Sequence, residues 1–223
     1  MAYILCIESA TTNCSVALTK DGKVVAAKEL NAANFSHAEH LHDFILDVLA
    51  ESSVNINNID AISVSKGPGS YTGLRIGVSA AKGLAFGIKV PLISVGTLEA
   101  LAHQIKVDSG YILPILDARR MEVYAQVFSA EHTPLNSVEA VVLEENSFEA
   151  YLSTNQVHFM GSGALKFSTI CKHPNALFYS EFVPSAKEQA ILAYSKFQKK
   201  DFEDTAYFEP FYLKDFVAGS KKA

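Results

Sequence analysis

The stretch YILCIESATTNCSVALTKDGKVVAAKEL, Tyr3 to Leu30, decides the fold. Tyr3 to Glu8 is a nearly unbroken apolar run, the pattern of a central strand buried on both faces. A polar loop, SATTN, follows. Cys14 to Thr19 alternates and reads as a second strand. Lys20-Asp21-Gly22-Lys23 has Asp-Gly at its centre, which selects a tight hairpin turn, and Val24 to Leu30 returns as a third strand. The chain therefore opens with an antiparallel meander whose first strand is fully buried and ends in a carboxylate, Glu8.

Helices and strands alternate outward from the meander. Ser36 with Glu39 makes an S-x-x-E capping box, and Leu41, Phe44, Ile45, Val48 and Leu49 form one helical stripe. Asn57 to Asp60 is a polar turn, and Ile59 to Ser65 a short buried strand. The glycine-rich loop KGPGSYTG then leads into a helix over Thr72 to Phe86. Pro91 opens a strand over Leu92 to Val95, and Thr97 is expected to cap a helix to about Gln104. Tyr111 to Asp117 is again an apolar strand ending in an acid, with Glu122 to Phe128 behind it as a strand. Val138 to Leu143 is extended, His158 to Met160 runs into Gly161-Ser162-Gly163, and a last helix covers about Ala186 to Gln198. Strand, acid, polar turn and hairpin thus occur twice. The expected architecture is α/β, two βββαβα-type halves over 1–107 and 108–223, with the final helix a candidate to pack back on the first half.

Composition narrows the function. The 223 residues carry a net charge of −5. That is the wrong sign for a protein that grips nucleic acid by its own electrostatics. Cys6, Cys14 and Cys171 show no C-x-x-C spacing and suit a reducing compartment. No basic leader precedes the first strand and no apolar run is long enough to span a bilayer, so a soluble, cytoplasmic protein is expected.

The glycine-rich loop fails both phosphate fingerprints. The sixth position counted from Gly67 is Thr72 where a Walker loop needs glycine, and Gly67, Gly69 and Gly73 space as G-x-G-x-x-x-G. The helix after it carries Gly73, Gly77, Ala81 and Ala85 every fourth residue, with Gly83 beside them. Glycine inside a helix costs about 1 kcal/mol against alanine, so something must approach this ridge closely. That something is either this chain's own sheet or a partner. The partner reading makes Gly73, Leu74, Gly77, Val78, Ala81 and Ala85 a docking face, with His37 and His40 at its edge. His37, His40 and His42 contain no pair four apart, the spacing of a helical zinc site. Glu8 and Asp117, with Gly161 and Gly163, form a candidate vestigial nucleotide site between the halves. The first loop, SATTN, has no glycine to admit a phosphate.

ESATTNCSVAL, SHAEHL, GPGSYTGLRIGVSAAKGLAFG, LDARRMEVY, GSGA and EPFYLK, in this order from the first strand to Lys214, resemble the TsaB (YeaZ) family, with GPGSYTGLRIG and DARRMEVY the specific parts. The resemblance implies the duplicated actin-like/Hsp70-like ATPase fold, built of RNase H-like halves. It implies a non-catalytic dimerisation subunit in tRNA threonylcarbamoyladenosine formation, a partner of the transferase TsaD and the ATPase TsaE, and a homodimer when alone. tRNA would be met mainly through the complex, and ATP or ADP, if bound, at the partner interface, with no intrinsic cofactor. Where TsaD carries a metal-binding histidine pair, GTLEAL places Thr97 and Leu101, which cannot serve as metal ligands. An active sugar-kinase-like ATPase and a metallopeptidase are the competing readings.

Overall fold

The computed structural model describes residues 1–32 and 37–214. The first half runs β1 (Tyr3–Glu8), β2 (Asn13–Lys20), β3 (Lys23–Asn31), α1 (His37–Ser52), β4 (Ala61–Gly67), α2 (Tyr71–Ile88), β5 (Leu92–Gly96) and α3 (Thr97–Ala102). The second runs β6 (Tyr111–Asp117), β7 (Glu122–Ala125), β8 (Phe128–Ser129), β9 (Glu139–Val142), α4 (Glu149–Leu152), β10 (Val157–Met160), α5 (Ser162–Ser168), β11 (Ala176–Tyr179) and α6 (Gln189–Lys199).

The two sheets repeat one topology. The first has the order β3-β2-β1-β4-β5, antiparallel on the β2 side of β1 and parallel on the β4 side. The second has β9-β7-β6-β10-β11, antiparallel toward β7 and parallel toward β10. β1 and β6 are the equivalent central strands, each ending in an acid. The duplication is therefore one of strand order and direction. At the Asp21-Gly22 hairpin both residues have positive φ, 49° and 77°, as a type I′ turn requires.

Alternation along β1 explains the layering. Leu5 and Ile7 face Leu41, Ile45 and Val48 of α1 and Val78, Ala81 and Ala85 of α2. Ile4 and Cys6 face the other way, onto Ala100 of α3 and Ala186 and Ala193 in and before α6. Each fully buried Leu or Ile here contributes about 1.5–3 kcal/mol of transfer free energy. α3 is shared: its Leu98, Leu101 and Ala102 pack on Ile112, Leu116, Phe128 and Met160 of the second half. α6 lies on β1, β4 and β5 of the first sheet.

Several details differ from expectation. The predicted strand over Glu122 to Phe128 is broken into β7 and β8. α3 ends at Ala102, and its N-cap is Gly96 with no side-chain cap bond. Thr97 does not cap, because its hydroxyl is 2.8 Å from the Ser65 hydroxyl inside the core. α4, α5 and β11 were not expected. Ser36, the first residue of the expected capping box, lies outside the described residues.

Candidate functional site

The helix that was expected to present a docking face presents it inward. Gly73, Leu74, Gly77, Val78, Ala81 and Ala85 are all buried. A β-carbon on Gly73 would strike the Ser9 carbonyl oxygen, and one on Gly77 the Ser9 hydroxyl. The Ser9 hydroxyl donates to the Gly73 carbonyl at 2.9 Å. The loop ahead of the helix is pinned likewise, Ser70 N–H donating to the Ala10 carbonyl at 2.7 Å. The small-residue ridge is thus the means by which α2 lies against the end of β1, and the reading of these six residues as a partner surface is corrected. His37 is buried as well, its Nε2–H donating to the Thr11 carbonyl at 2.7 Å. Loss of solvation, opposed by that bond, holds its pKa below the usual imidazole value. His40 is half-buried and stacked on Phe44 at 5.8 Å.

The outward side of α2 is a separate surface. Thr72, Arg75, Ser79, Gly83, Phe86 and Gly87 are exposed along it. Gly83 lies about 120° around the helix from Gly77, at 100° per residue. Nothing in the described chain lies within 4 Å of where a β-carbon on Gly83 or Gly87 would be. Phe86 between them is 81% exposed, and on the neighbouring helix α1 Leu46 is 65% exposed. The four-residue glycine spacing marks only the buried face of α2, with Gly83 beside it. Projecting Phe86 and Gly83 at 3.6 residues per turn would have separated the two faces.

A cleft of about 530 Å³ opens between the halves at the ends of β1 and β6. Thr11, Thr12, Ser70, Asp117, Arg119 and Ser162 are among its walls. Asp117 is exposed and engaged: it accepts from Lys166 Nζ at 2.8 Å and from Arg119 N–H at 2.6 Å. Arg119 and Arg120 both sit in the left-handed region, φ 71° and 50°, at about 1–2 kcal/mol per residue.

Glu8 does not share that environment. It is fully buried, with Oε1 accepting from Ala10 N–H at 2.7 Å. Oε2 makes no hydrogen bond of ordinary geometry among the described residues. Desolvation pushes its pKa up to about 7, against the opposing pull of Ala10, Ser65, Ser9 and Gln189. Ser65 and Gln189 therefore lie near enough to act electrostatically without bonding Oε2 geometrically. Gly161 and Gly163 also stand behind the cleft. A β-carbon on Gly161 would come within 2.8 Å of the Ile115 carbonyl oxygen and of Leu101, and one on Gly163 within 2.8 Å of Val123. Of the four residues expected to share a nucleotide site, only Asp117 is a wall of the cleft.

A C-terminal strap crosses this region. Phe211 N–H donates to the Lys66 carbonyl at 2.7 Å. Tyr212 packs against Tyr71 in a tilted arrangement, ring centroids 4.9 Å apart, and its hydroxyl accepts from Arg75 Nε at 3.2 Å. Lys214 pairs with Glu122 of the second half. Among the described residues no group of three or more His, Cys, Asp or Glu could hold a metal ion, and no helix is long and apolar enough to cross a membrane. Thr97 and Leu101 are both buried in the core.

Comparison with known proteins places this geometry. The family described as "TsaD: tRNA N6-adenosine threonylcarbamoyltransferase" matches residues 31–221. The tRNA threonylcarbamoyladenosine biosynthesis protein TsaB of Escherichia coli (strain K12) is 32% identical over 98% of this chain and 97% of its own length. The TsaB protein of Haemophilus influenzae is 29% identical over 98% and 96%. The structure of YeaZ from Pseudomonas aeruginosa superposes with a TM-score of 0.81 at 24% identity, covering 96% of this chain and all of that one. An activator of 2-hydroxyisocaproyl-CoA dehydratase from Clostridium difficile, with bound ADPNP, shares the fold at a TM-score of 0.52 and 10% identity, over 91% and 98% of the two chains. The architecture is the duplicated actin-like ATPase fold. The transferase family match spans most of the chain, while the TsaB proteins of Escherichia coli and Haemophilus influenzae match 98% of it, and on that ground the chain belongs to the TsaB family, within the wider TsaD-like group.

Proposed function

We propose that this chain is a non-catalytic, cytoplasmic subunit of tRNA threonylcarbamoyladenosine biosynthesis. It docks on the transferase TsaD through the outward face of α1 and α2, with TsaE joining the pair. The same face joins two copies when the chain is alone. One observation carries the reading: Gly83 and Gly87 are helical glycines with no other part of the described chain within 4 Å of where a β-carbon would lie, flanking an exposed Phe86. Each such glycine costs about 1 kcal/mol against alanine, and no described intramolecular contact explains it. A partner helix that approaches closely at Gly83 and takes Phe86 into a pocket does explain it. Small residues let backbones approach, and aromatic residues dominate interface energetics. Support for a non-catalytic role comes from Thr97 and Leu101, whose side chains are committed to the core.

The test uses Gly83→Arg and Phe86→Asp, both at exposed positions. Each is expected to abolish co-elution with TsaD on size exclusion while the chain still folds, with a single cooperative thermal melt. Retained complex in both variants would overturn the docking face.

A further inference from the structure

Phe211 of the strap also walls a second recess between the halves, of about 320 Å³. The first half contributes Lys66 from the end of β4 and Leu98 and Glu99 from α3; the second contributes Phe128 and Val138. Lys66 and Glu99 are half-buried. Neither forms an ion pair with the other or with any other described residue. Neither side chain has a hydrogen-bond partner there, although Glu99 offers its main-chain carbonyl to His103 Nδ1 at 2.9 Å. Two opposite charges, partly desolvated and unpaired, therefore face one recess whose remaining walls are largely apolar. Ligand sites favour such junctions between domains: concave, mostly apolar, with a few polar groups that fix orientation.

We propose that this recess binds an α-amino acid with an apolar side chain, its carboxylate on Lys66, its ammonium on Glu99 and its side chain against Leu98, Phe128 and Val138. A ligand with one charge would leave the opposite protein charge facing it unpaired. A ligand with two charges and no apolar body would leave the aromatic and aliphatic walls uncovered. A zwitterion with an aliphatic body satisfies both sets of groups. The recess is of a size that suits a leucine-sized molecule, at the small end of the range for ligand pockets. The site is separate from the α1–α2 face and does not depend on the docking reading.

The experiment is a titration of the isotopically labelled full chain, followed by amide chemical shifts. L-leucine is the probe, with L-leucinamide lacking the carboxylate and 4-methylpentanoate lacking the ammonium. Leucine is expected to saturate shifts around residues 66–67, 96–99 and 126–138, with each analogue about ten-fold weaker. Lys66→Met is expected to weaken leucine about ten-fold and leave leucinamide unchanged; Glu99→Gln is expected to weaken leucine equally and leave 4-methylpentanoate unchanged. No saturable shift by about 50 mM leucine, a concentration well above the Kd of even a weak site, overturns the proposal. So do analogues that bind as tightly as leucine, and leucine binding that survives both substitutions. If either variant fails to fold in a thermal melt, the comparison of the three ligands on the wild-type chain decides the question alone.

Discussion

The two faces of α2 predict opposite responses to one chemical change, glycine to alanine. At Gly83 the added methyl meets nothing within 4 Å. The helix gains the intrinsic preference for alanine, about 1 kcal/mol. For a chain of this length 1 kcal/mol moves the thermal midpoint by about 2–4 °C, so at a concentration low enough to leave the chain monomeric Gly83→Ala should melt higher by that amount. At Gly77 the same preference is opposed by the Ser9 hydroxyl and by the Ser9 β-carbon, 3.2 Å from the new methyl. Forcing an extra methyl into a packed site costs about 1–3 kcal/mol. Displacing Ser9 also breaks its bond to the Gly73 carbonyl, at about 0.5–1.5 kcal/mol. Subtracting the helical gain leaves Gly77→Ala destabilised by roughly 0.5–3.5 kcal/mol. Differential scanning calorimetry of the two variants beside wild type reads both signs. A Gly77→Ala variant that melts above wild type would refute the inward packing of the ridge. A monomeric Gly83→Ala variant that melts below monomeric wild type would mean that this chain itself occupies the outer face.

Other expectations follow from single groups. Glu8 has its folded pKa raised from 4.5 to about 7 by burial. Its protonated form is the one the fold prefers, so its contribution is best below pH 4.5 and is lost as pH rises through about 7. That loss amounts to on the order of 3 kcal/mol. Glu8→Gln should therefore stabilise the chain at pH 8, with the advantage shrinking to nothing near pH 4.5; an advantage independent of pH would contradict this cause. Burial pushes the thiols of Cys6 and Cys14 up to about 12 and about 11, so both should resist alkylation in the native state and react at the rate of unfolding. Prompt labelling at neutral pH would show that the core opens locally. Lys82→Met removes the ammonium that holds the Ala206 and Phe208 carbonyls at 3.1 and 2.9 Å. Proteolysis or mass spectrometry should then detect faster cleavage and amide exchange across residues 206–214, with α2 itself unchanged.

Local patterns carried much of this fold. The apolar runs Tyr3–Glu8 and Tyr111–Asp117 appear as β1 and β6 with the same ends, because a strand buried on both faces shows as a near-continuous apolar run that stops where the chain leaves the core. The Asp21-Gly22 turn was legible because only a few residues accept positive φ twice in succession. The short α4 and α5, and β11, have too few residues for a period to show. Thr97 misled because a hydroxyl before a helix reads as a cap, and only the fold brings Ser65 to it. The site was less legible still. Four-residue spacing marks a close approach but not what approaches, and Ser9 is 64 residues away from Gly73 in the chain. Lys66 and Glu99 carry no motif at all; both belong to the first half, and the recess they line exists only once the second half supplies Phe128 and Val138.

The position of α6 has a consequence for synthesis. The rear face of the first sheet, with Ile4, Cys6 and Ile93, is covered in part by Ala186 and Ala193. The Gln189 side chain donates to the Ile7 carbonyl at 2.9 Å and accepts from Ser63 at 2.8 Å. Those residues leave the ribosome about 90 residues after β5 has done so, several seconds at ordinary elongation rates of about 5–20 residues per second. Throughout that interval the rear face of the nascent first sheet has only α3 to cover it. A chaperone that binds exposed hydrophobic strands would have its longest opportunity on this protein then, and release would coincide with the emergence of α6.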